Sequence, residues 1–289
     1  MSAVDQPPNR AEPFISIVTV SLNAAATIED TIASVAMQQT TFAVEHICVD
    51  GGSFDATRPI IDRWAQKFGQ IRRIYERDDG LYDAMNKGLR ASRGEYVLFL
   101  NADDFLVARN TLEMVMQGLN PESSLNPDLI VGDARMGIPG RFGLWRHRLV
   151  PRVLGRLRGC GLFPVHQGQF TKRRLLDAIG GFDPKLGLSS DVIQFYDLER
   201  KFLPSIRVIR FDVTFMRAGG ASNEGIRTML WATVEFYRHL CRTYSRTRAA
   251  SIVIVKTLQS LAEIRLGTCP HHRWFVSTID GSPAGATEP

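Results

Sequence analysis

Residues 94–105 read GEYVLFLNADDF, and no other stretch limits the fold so tightly. From Tyr96 to Leu100 every residue is apolar, aromatic or β-branched. A run this short, bounded by turn residues, reads as a buried central strand, here expected over Glu95–Phe105. It stops abruptly at Asp103 and Asp104. In open α/β sheets ligands bind beyond the carboxyl ends of the strands. Two adjacent acids repel each other unless something positive lies between them. A divalent metal holding a phosphorylated substrate meets that need. A polar loop with Asp104 capping the next helix explains the same spacing, so the remainder of the chain must decide.

The first half alternates strand and helix. Phe14–Leu22 (FISIVTVSL) reads as a buried strand ended by Asn23, and Thr27–Met37 has apolar residues at helical spacing. Glu45–Val49 is a second strand, followed by Asp50-Gly51-Gly52-Ser53. Asp55 or Thr57 can start a helix that turns Ile60, Ile61, Trp64 and Phe68 inward. Arg72–Tyr75 is a short third strand, followed by a loop and a helix ending near Gly94. Such alternation implies a mostly parallel sheet with right-handed crossovers. The polar segments Ser21–Asn23, Asp50–Ser53, Asp78–Asp83 and Asn101–Asp104 then all fall at carboxyl ends of strands. One edge of the sheet collects them, as scattered loop acids would not. Gly51 and Gly52 let backbone approach a ligand, and Asp50 can accept hydrogen bonds from a base or ribose. A plain βα turn suits Gly-Gly-Ser equally well.

The second half is less regular. Asp128–Asp133 (DLIVGD) reads as another strand ending in an acid. From Ala134 to Leu176 there is no Asp or Glu, while Arg141, Arg146, Arg148, Arg152, Arg156 and Arg158 are interleaved with Leu144, Trp145, Leu149, Val153 and Leu154. A basic amphipathic segment suits an anionic membrane surface or a phosphorylated lipid, and equally a solvated face. Gly180–Pro184 is a helix stop and turn. Asp191 precedes an apolar helical run; it is either a helix N-cap or an acid projected into the site. Residues 226–248 and Ser251–Leu266 are expected as amphipathic helices, and 267–289 as a disordered tail. Cys269, His271 and His272 make only a weak metal cluster.

Composition narrows the setting. With 289 residues, 44% hydrophobic and 22% charged, the chain can bury a full core. A formal charge of +5 favours anionic partners. The four cysteines, Cys48, Cys160, Cys241 and Cys269, are scattered without a CxxC pair, which fits a reducing compartment. The N-terminus is polar and proline-rich, and no apolar run approaches a membrane span. These features point to a cytoplasmic protein, with contact at the inner face of the plasma membrane if the arginine-rich segment docks there.

Taken in order, ISIVTVSLN, HICVDGGSFDAT and ERDDGLYDAMNKGLRASRGEYVLFLNADD, then VGD, HQGQF, GGFDP, SSD and GGASN, the motifs resemble family 2 glycosyltransferases over residues 14–223. Within that family they are most similar to members that build bacterial surface polysaccharides and glycolipids. The resemblance implies an α/β fold of GT-A type with a C-terminal helical extension. It divides the chain into an arm (1–13), a nucleotide-sugar half (14–104), an acceptor half (105–223), helices (224–266) and a tail. It implies transfer of a sugar from a nucleotide-diphosphate donor to a lipid-linked or glycan hydroxyl, with inversion. Asp103 and Asp104 would meet Mg2+ or Mn2+, and Asp191 would be the base. Val20, Leu22, Asn23, Asp50, Gly51, Asp83, Asn86, Lys87, Asn101 and Ala102 would line the donor site, with His166 and Gln167 on the acceptor side.

Two departures stand out. Phe54 sits where the family commonly has a small hydroxyl residue. After Asp191 the chain runs Val192-Ile193, without the second acid of the usual base motif; Asp197 is farther on. A sugar nucleotidyltransferase would need a Gly-rich, basic phosphate loop after the first strand, where this chain has Ser21-Leu22-Asn23-Ala24-Ala25. A non-catalytic nucleotide- or nucleic-acid-binding protein would not need intact acids at Asp103, Asp104 and Asp191, and no nucleic-acid module is visible, so nucleic acid is not an expected partner.

Overall fold

The computed structural model describes residues 12–120, 123, 125–137, 146–147, 163–187, 189–217 and 226–266, with side chains outside that description at 146–147, 226–230 and 259–266. Most of the N-terminal arm, most of the arginine-rich segment 141–158, the GGASN motif, Cys160, Cys269, His271, His272 and the tail 267–289 lie outside the described residues.

Among the described residues nine strands form one sheet. They are β1 (Ile15–Ser21), β2 (Val44–Asp50), β3 (Ile71–Tyr75), β4 (Tyr96–Phe99), β5 (Phe105–Leu106), β6 (Leu129–Gly137), β7 (Arg146–His147), β8 (Gln169–Lys172) and β9 (Ile206–Arg217). Their order is β3-β2-β1-β4-β8-β6-β9-β5, with β7 on β6. The first four are mutually parallel. Strand β8 is antiparallel to β4 and to β6, β6 and β9 are parallel, and β5 runs against β9. The fold is therefore the α/β, mostly parallel arrangement expected.

The helices are α1 (Ile28–Ala36), α2 (Thr57–Lys67), α3 (Leu81–Ala91), α4 (Thr111–Met116), α5 (Arg173–Ile179), α6 (Ser190–Phe202), α7 (Ile226–Leu240) and α8 (Arg246–Leu266). Apolar periodicity puts Ile28, Ile32 and Ala36 of α1 into one buried cluster with Ile61 and Trp64 of α2, and Cys48 of β2 joins it. On the other side of the sheet Tyr82, Met85 and Leu89 of α3 pack on Val18, Val49 and Val97. Strand β1 lies between β2 and β4 and is covered on both sides, so it is buried at every residue, with Ser16, Thr19 and Ser21 hydrogen-bonded to Glu45, His46 and Asp50. No helix among the described residues is long and apolar enough to cross a membrane.

Two expectations need correction. The strand that ends in acids is shorter than Glu95–Phe105: residues 100–104 form a turn, and Phe105–Leu106 begin a separate strand on β9. The C-terminal helices break at Cys241–Ser245, not near 249, because α8 already starts at Arg246.

Register fixes the edge that matters. Ser21 lies opposite Asp50, and Asp50 opposite Tyr75, while β4 pairs Val18 with Phe99. The carboxyl ends of β1–β3 are thus level, and β4 stops three residues short of Ser21, opposite Val18. His46, wholly buried beneath them, sits 2.9 Å from Thr19 Oγ1, and burial pushes its pKa down to about 3. The unfolded chain takes up a proton near pH 6.5 that the folded chain refuses, so stability falls as pH drops from about 6.5 towards 3. Urea unfolding should show His46 contributing about 1.4 kcal/mol of lost stability per pH unit in that window, and His46→Gln should flatten that slope.

Candidate active site

The turn after β4 carries the paired acids. Asp104 is 2% exposed. Its Oδ2 accepts from Gln167 Nε2 at 3.1 Å, and its Oδ1 from the backbone N–H of Arg217 at 3.2 Å. Burial and the adjacent charge of Asp103 outweigh these donors and push the Asp104 carboxyl up to about 8. Asp103 is half-buried, and no side chain among the described residues donates to it; burial raises its pKa too, although Arg217 and His166 pull the other way. The Oδ1 of Asn101, two residues earlier, is buried without a partner. Oxygen groups this short of positive charge suit a hard divalent cation. No three His, Cys, Asp or Glu side chains among the described residues converge on one point, so substrate oxygens would have to complete the coordination of any such ion.

A third acid is held on α6 by the residue next to Gln167. Asp191 lies in the first turn of α6, whose N-cap position is taken by Ser189. Its Oδ2 is 3.3 Å from His166 Nδ1, and its Oδ1 accepts from Tyr82 Oη at 3.4 Å and from the N–H of Val192 at 2.8 Å. Burial works against ionisation of Asp191, but the hydrogen bond and charge of His166 prevail and hold the carboxyl below its usual range. Glu235 of α7 fixes the approach to this turn, accepting from Gly187 N–H and Ser189 Oγ, each at 3.1 Å. Asp197 points elsewhere, 3.6 Å from His239 of α7.

At the other end of the edge, Leu22, Gly51, Gly52, Arg77 and Asp78 line an open cavity of about 380 Å³. A Cβ on Gly51 would sit 2.0 Å from Asp78 Oδ2, so a side chain there would push that carboxylate aside. Asp50 shapes this cavity from behind. It is fully buried; Oδ1 accepts from Gly52 N, Ser53 N and Arg58 Nε, and Oδ2 from Ser21 Oγ and Ser53 Oγ. Asn23, at φ 53°, takes the N–H of Phe54 on its side chain and gives its own N–H to Ser53 Oγ. That leaves the Phe54 ring 89% exposed, so the departure from a small residue costs nothing in packing.

The model of glycosyl transferase family 2 matches residues 16–180. The chain belongs to that family. A PGL/p-HBAD biosynthesis glycosyltransferase of Mycobacterium bovis is 32% identical over 185 residues, covering 63% of this chain and 68% of the relative. Among solved structures, the mannosyltransferase PcManGT from Pyrobaculum calidifontis, in complex with GDP-Man and Mn2+, superposes with a TM-score of 0.60 at 20% identity, over 87% of this chain and 71% of that one. TarS 1–349 of S. aureus, in complex with UDP-GlcNAc, gives 0.57 at 16% identity, over 86% and 72%. These likenesses identify the GT-A fold.

In this family 2 chain several expected donor residues turn inward. Asp50 has no oxygen left for a base. Asn86 is a clamp: its Nδ2 donates to Phe182 O at 2.8 Å, and its Oδ1 accepts from Phe182 N at 2.9 Å. Lys87 donates to Arg77 O at 2.5 Å and pairs with Asp83 at 3.2 Å, while Asp83 accepts from Asp79 N–H. Asp83 and Lys87 therefore brace the 76–80 loop. Val20 and Ala102 are core residues, leaving only their backbone near the edge. Sequence reasoning missed Arg77 and Tyr82, and it missed Arg217, whose guanidinium pairs with Asp30 and lies 5.6 Å from the Phe105 ring. A lone arginine at a strand end has no spacing signal to find it by. Asn86→Ala orphans two buried backbone groups, so it should destabilise the fold by about 2 kcal/mol in chemical denaturation.

Proposed function

We infer that this glycosyltransferase moves a sugar from a nucleotide-diphosphate donor to a hydroxyl acceptor by metal-assisted inverting displacement. The observation that carries the reading is the adjacent Asp103–Asp104 pair, with Asp104 held by Gln167 and a third acid, Asp191, held by the neighbouring His166. The cavity at Leu22, Gly51, Gly52, Arg77 and Asp78 is read as the nucleoside pocket, a step along the sheet edge from the acids. Solved relatives bound to UDP-GlcNAc and to GDP-Man with Mn2+ support a nucleotide-sugar donor and a divalent ion. Asp103 would hold the ion directly and Asp104 would back it. When bound, Mg2+ or Mn2+ supplies a Lewis acid for the diphosphate.

The chain's own residues do the rest. Asp191 removes the proton from the acceptor hydroxyl through a carboxylate oxygen. The hydroxyl oxygen bonds to the anomeric carbon as the bond from that carbon to the diphosphate oxygen breaks, and the nucleoside diphosphate leaves. A low pKa keeps Asp191 ionised and ready, at the cost of basicity. The acceptor is read as a lipid-linked or glycan hydroxyl, in keeping with the arginine-rich segment 141–158, which would also be the contact with an anionic membrane.

A screen of nucleotide-sugar donors with Mg2+ or Mn2+, followed by proton NMR of the product, tests this reading. The transferred sugar should carry the anomeric configuration opposite to the donor's; retention would refute the displacement. Asp191→Asn should lower turnover about 10²- to 10⁴-fold with donor binding preserved, whereas Asp197→Asn should leave turnover intact. Gly51→Ala should weaken donor binding by pushing aside the Asp78 carboxylate, with the melting temperature little changed.

A further inference from the structure

We propose that His166 and Gln167 form a single positioning bracket, in which two neighbouring side chains of one 3-10 turn set the separation of the site's two acids. The bracket rests on the functional reading above. It gives these residues a role besides the acceptor-side placement expected of them.

Gln167 is 4% exposed and holds Asp104 at 3.1 Å; His166, next in the chain, holds Asp191 at 3.3 Å. The turn spans His166–Gly168 and leads straight into β8. That strand is bonded on one side to β4, which carries the acids, and on the other to β6, where Gln169 lies opposite Val131. Gln169 Nε2 ties the turn back to Pro164 O at 2.8 Å, and Gly168 N–H donates to Val165 O at 3.1 Å. A Cβ on Gly168 would meet Gly132 O at 2.5 Å, so the turn rests directly on the β6 backbone. A shift of the turn would strain its contacts to both acids.

The residue types fit the two tasks. A neutral amide donates to Asp104 without adding a charge that would compete with a cation. An imidazole is short and rigid, and donation from Nδ1 leaves the Asp191 carboxylate an acceptor. Tyr82 and the Val192 N–H steady its other oxygen. In an in-line displacement, about 1 Å of misplacement can cost some 10²-fold in rate, so a fixed separation has kinetic value even if neither side chain touches substrate.

The test uses the full chain, turnover of the donor found by the screen, and separate calorimetry with UDP or GDP in the presence of Mn2+. His166→Ala should lower kcat about 10- to 100-fold with nucleotide affinity within about twofold, and His166→Asn, which keeps a donor, should recover part of the loss. In a D191N background, H166A should cost nothing further, since the residue acts through that carboxylate. Gln167→Ala should instead weaken metal-dependent nucleotide binding. The bracket is overturned if H166A keeps full kcat, if it loses nucleotide binding as steeply as kcat, or if its cost is the same in both backgrounds. Should H166A fail to fold, H166N decides: a folded H166N with kcat close to wild type supports the bracket, and a folded H166N with kcat as low as D191N overturns it. If the wild-type chain neither binds nucleotide with Mn2+ nor turns over a donor, the functional reading itself has failed.

Discussion

Two adjacent carboxylates, Asp103 half-buried and Asp104 buried, impose the main demand on this structure. Asp104 has a side-chain amide and a backbone N–H, and neither neutralises a charge. Arg217 lies close but is committed to Asp30 of α1. The acids sit in the turn after β4, and Asp104 is held there by Gln167 and by the backbone of Arg217. Buried like charges are costly unless one is protonated or a cation arrives. The fold therefore holds an acid pair whose charge the nearby Arg217 offsets only in part, since both carboxyls stay raised.

Asp191 contrasts with that pair. The same physical terms act on all three acids, yet the balance differs. Around Asp104, burial and the neighbouring acid dominate and the carboxyl is raised to about 8. Around Asp191, His166 outweighs burial and the carboxyl is lowered. Environments that drive acids apart in this way separate their chemical roles. Here they divide the reading of the site into a leaving-group side on β4 and a proton-accepting side on α6.

Most of the parallel half was legible from the chain. Strands β1–β3 and helices α1–α3 fall close to where apolar periodicity and turn residues put them, because each is a local pattern buried on a predictable side. The acid-tipped strand was found but drawn too long, since sequence does not show that Phe105 leaves β4 to pair with Phe215. Strands β8 and β9 were missed. Four residues are too few for a period, but β9 (IRVIRFDVTFMR) carries a local alternation of Phe211, Val213 and Phe215 that marks a strand. The site was legible as a set of polar strand ends but not in its orientations. Asp50 and Asn86 stand at the right edge and turn their side chains back into the protein, towards Arg58 and Phe182, partners that spacing along the chain does not reveal. Tyr82 and the His166–Asp191 contact depend on the same kind of tertiary closure.

The most direct test of the acid pair is calorimetry of UDP and GDP against the wild-type chain and Asp103→Asn, with Mn2+ or with chelator, at several pH values. A cation must displace the proton held by a carboxyl raised to about 8, so Mn2+-dependent binding should strengthen as pH rises through that range. It should vanish with chelator and collapse in Asp103→Asn. Nucleotide binding that ignores chelator, pH and the substitution would contradict the account.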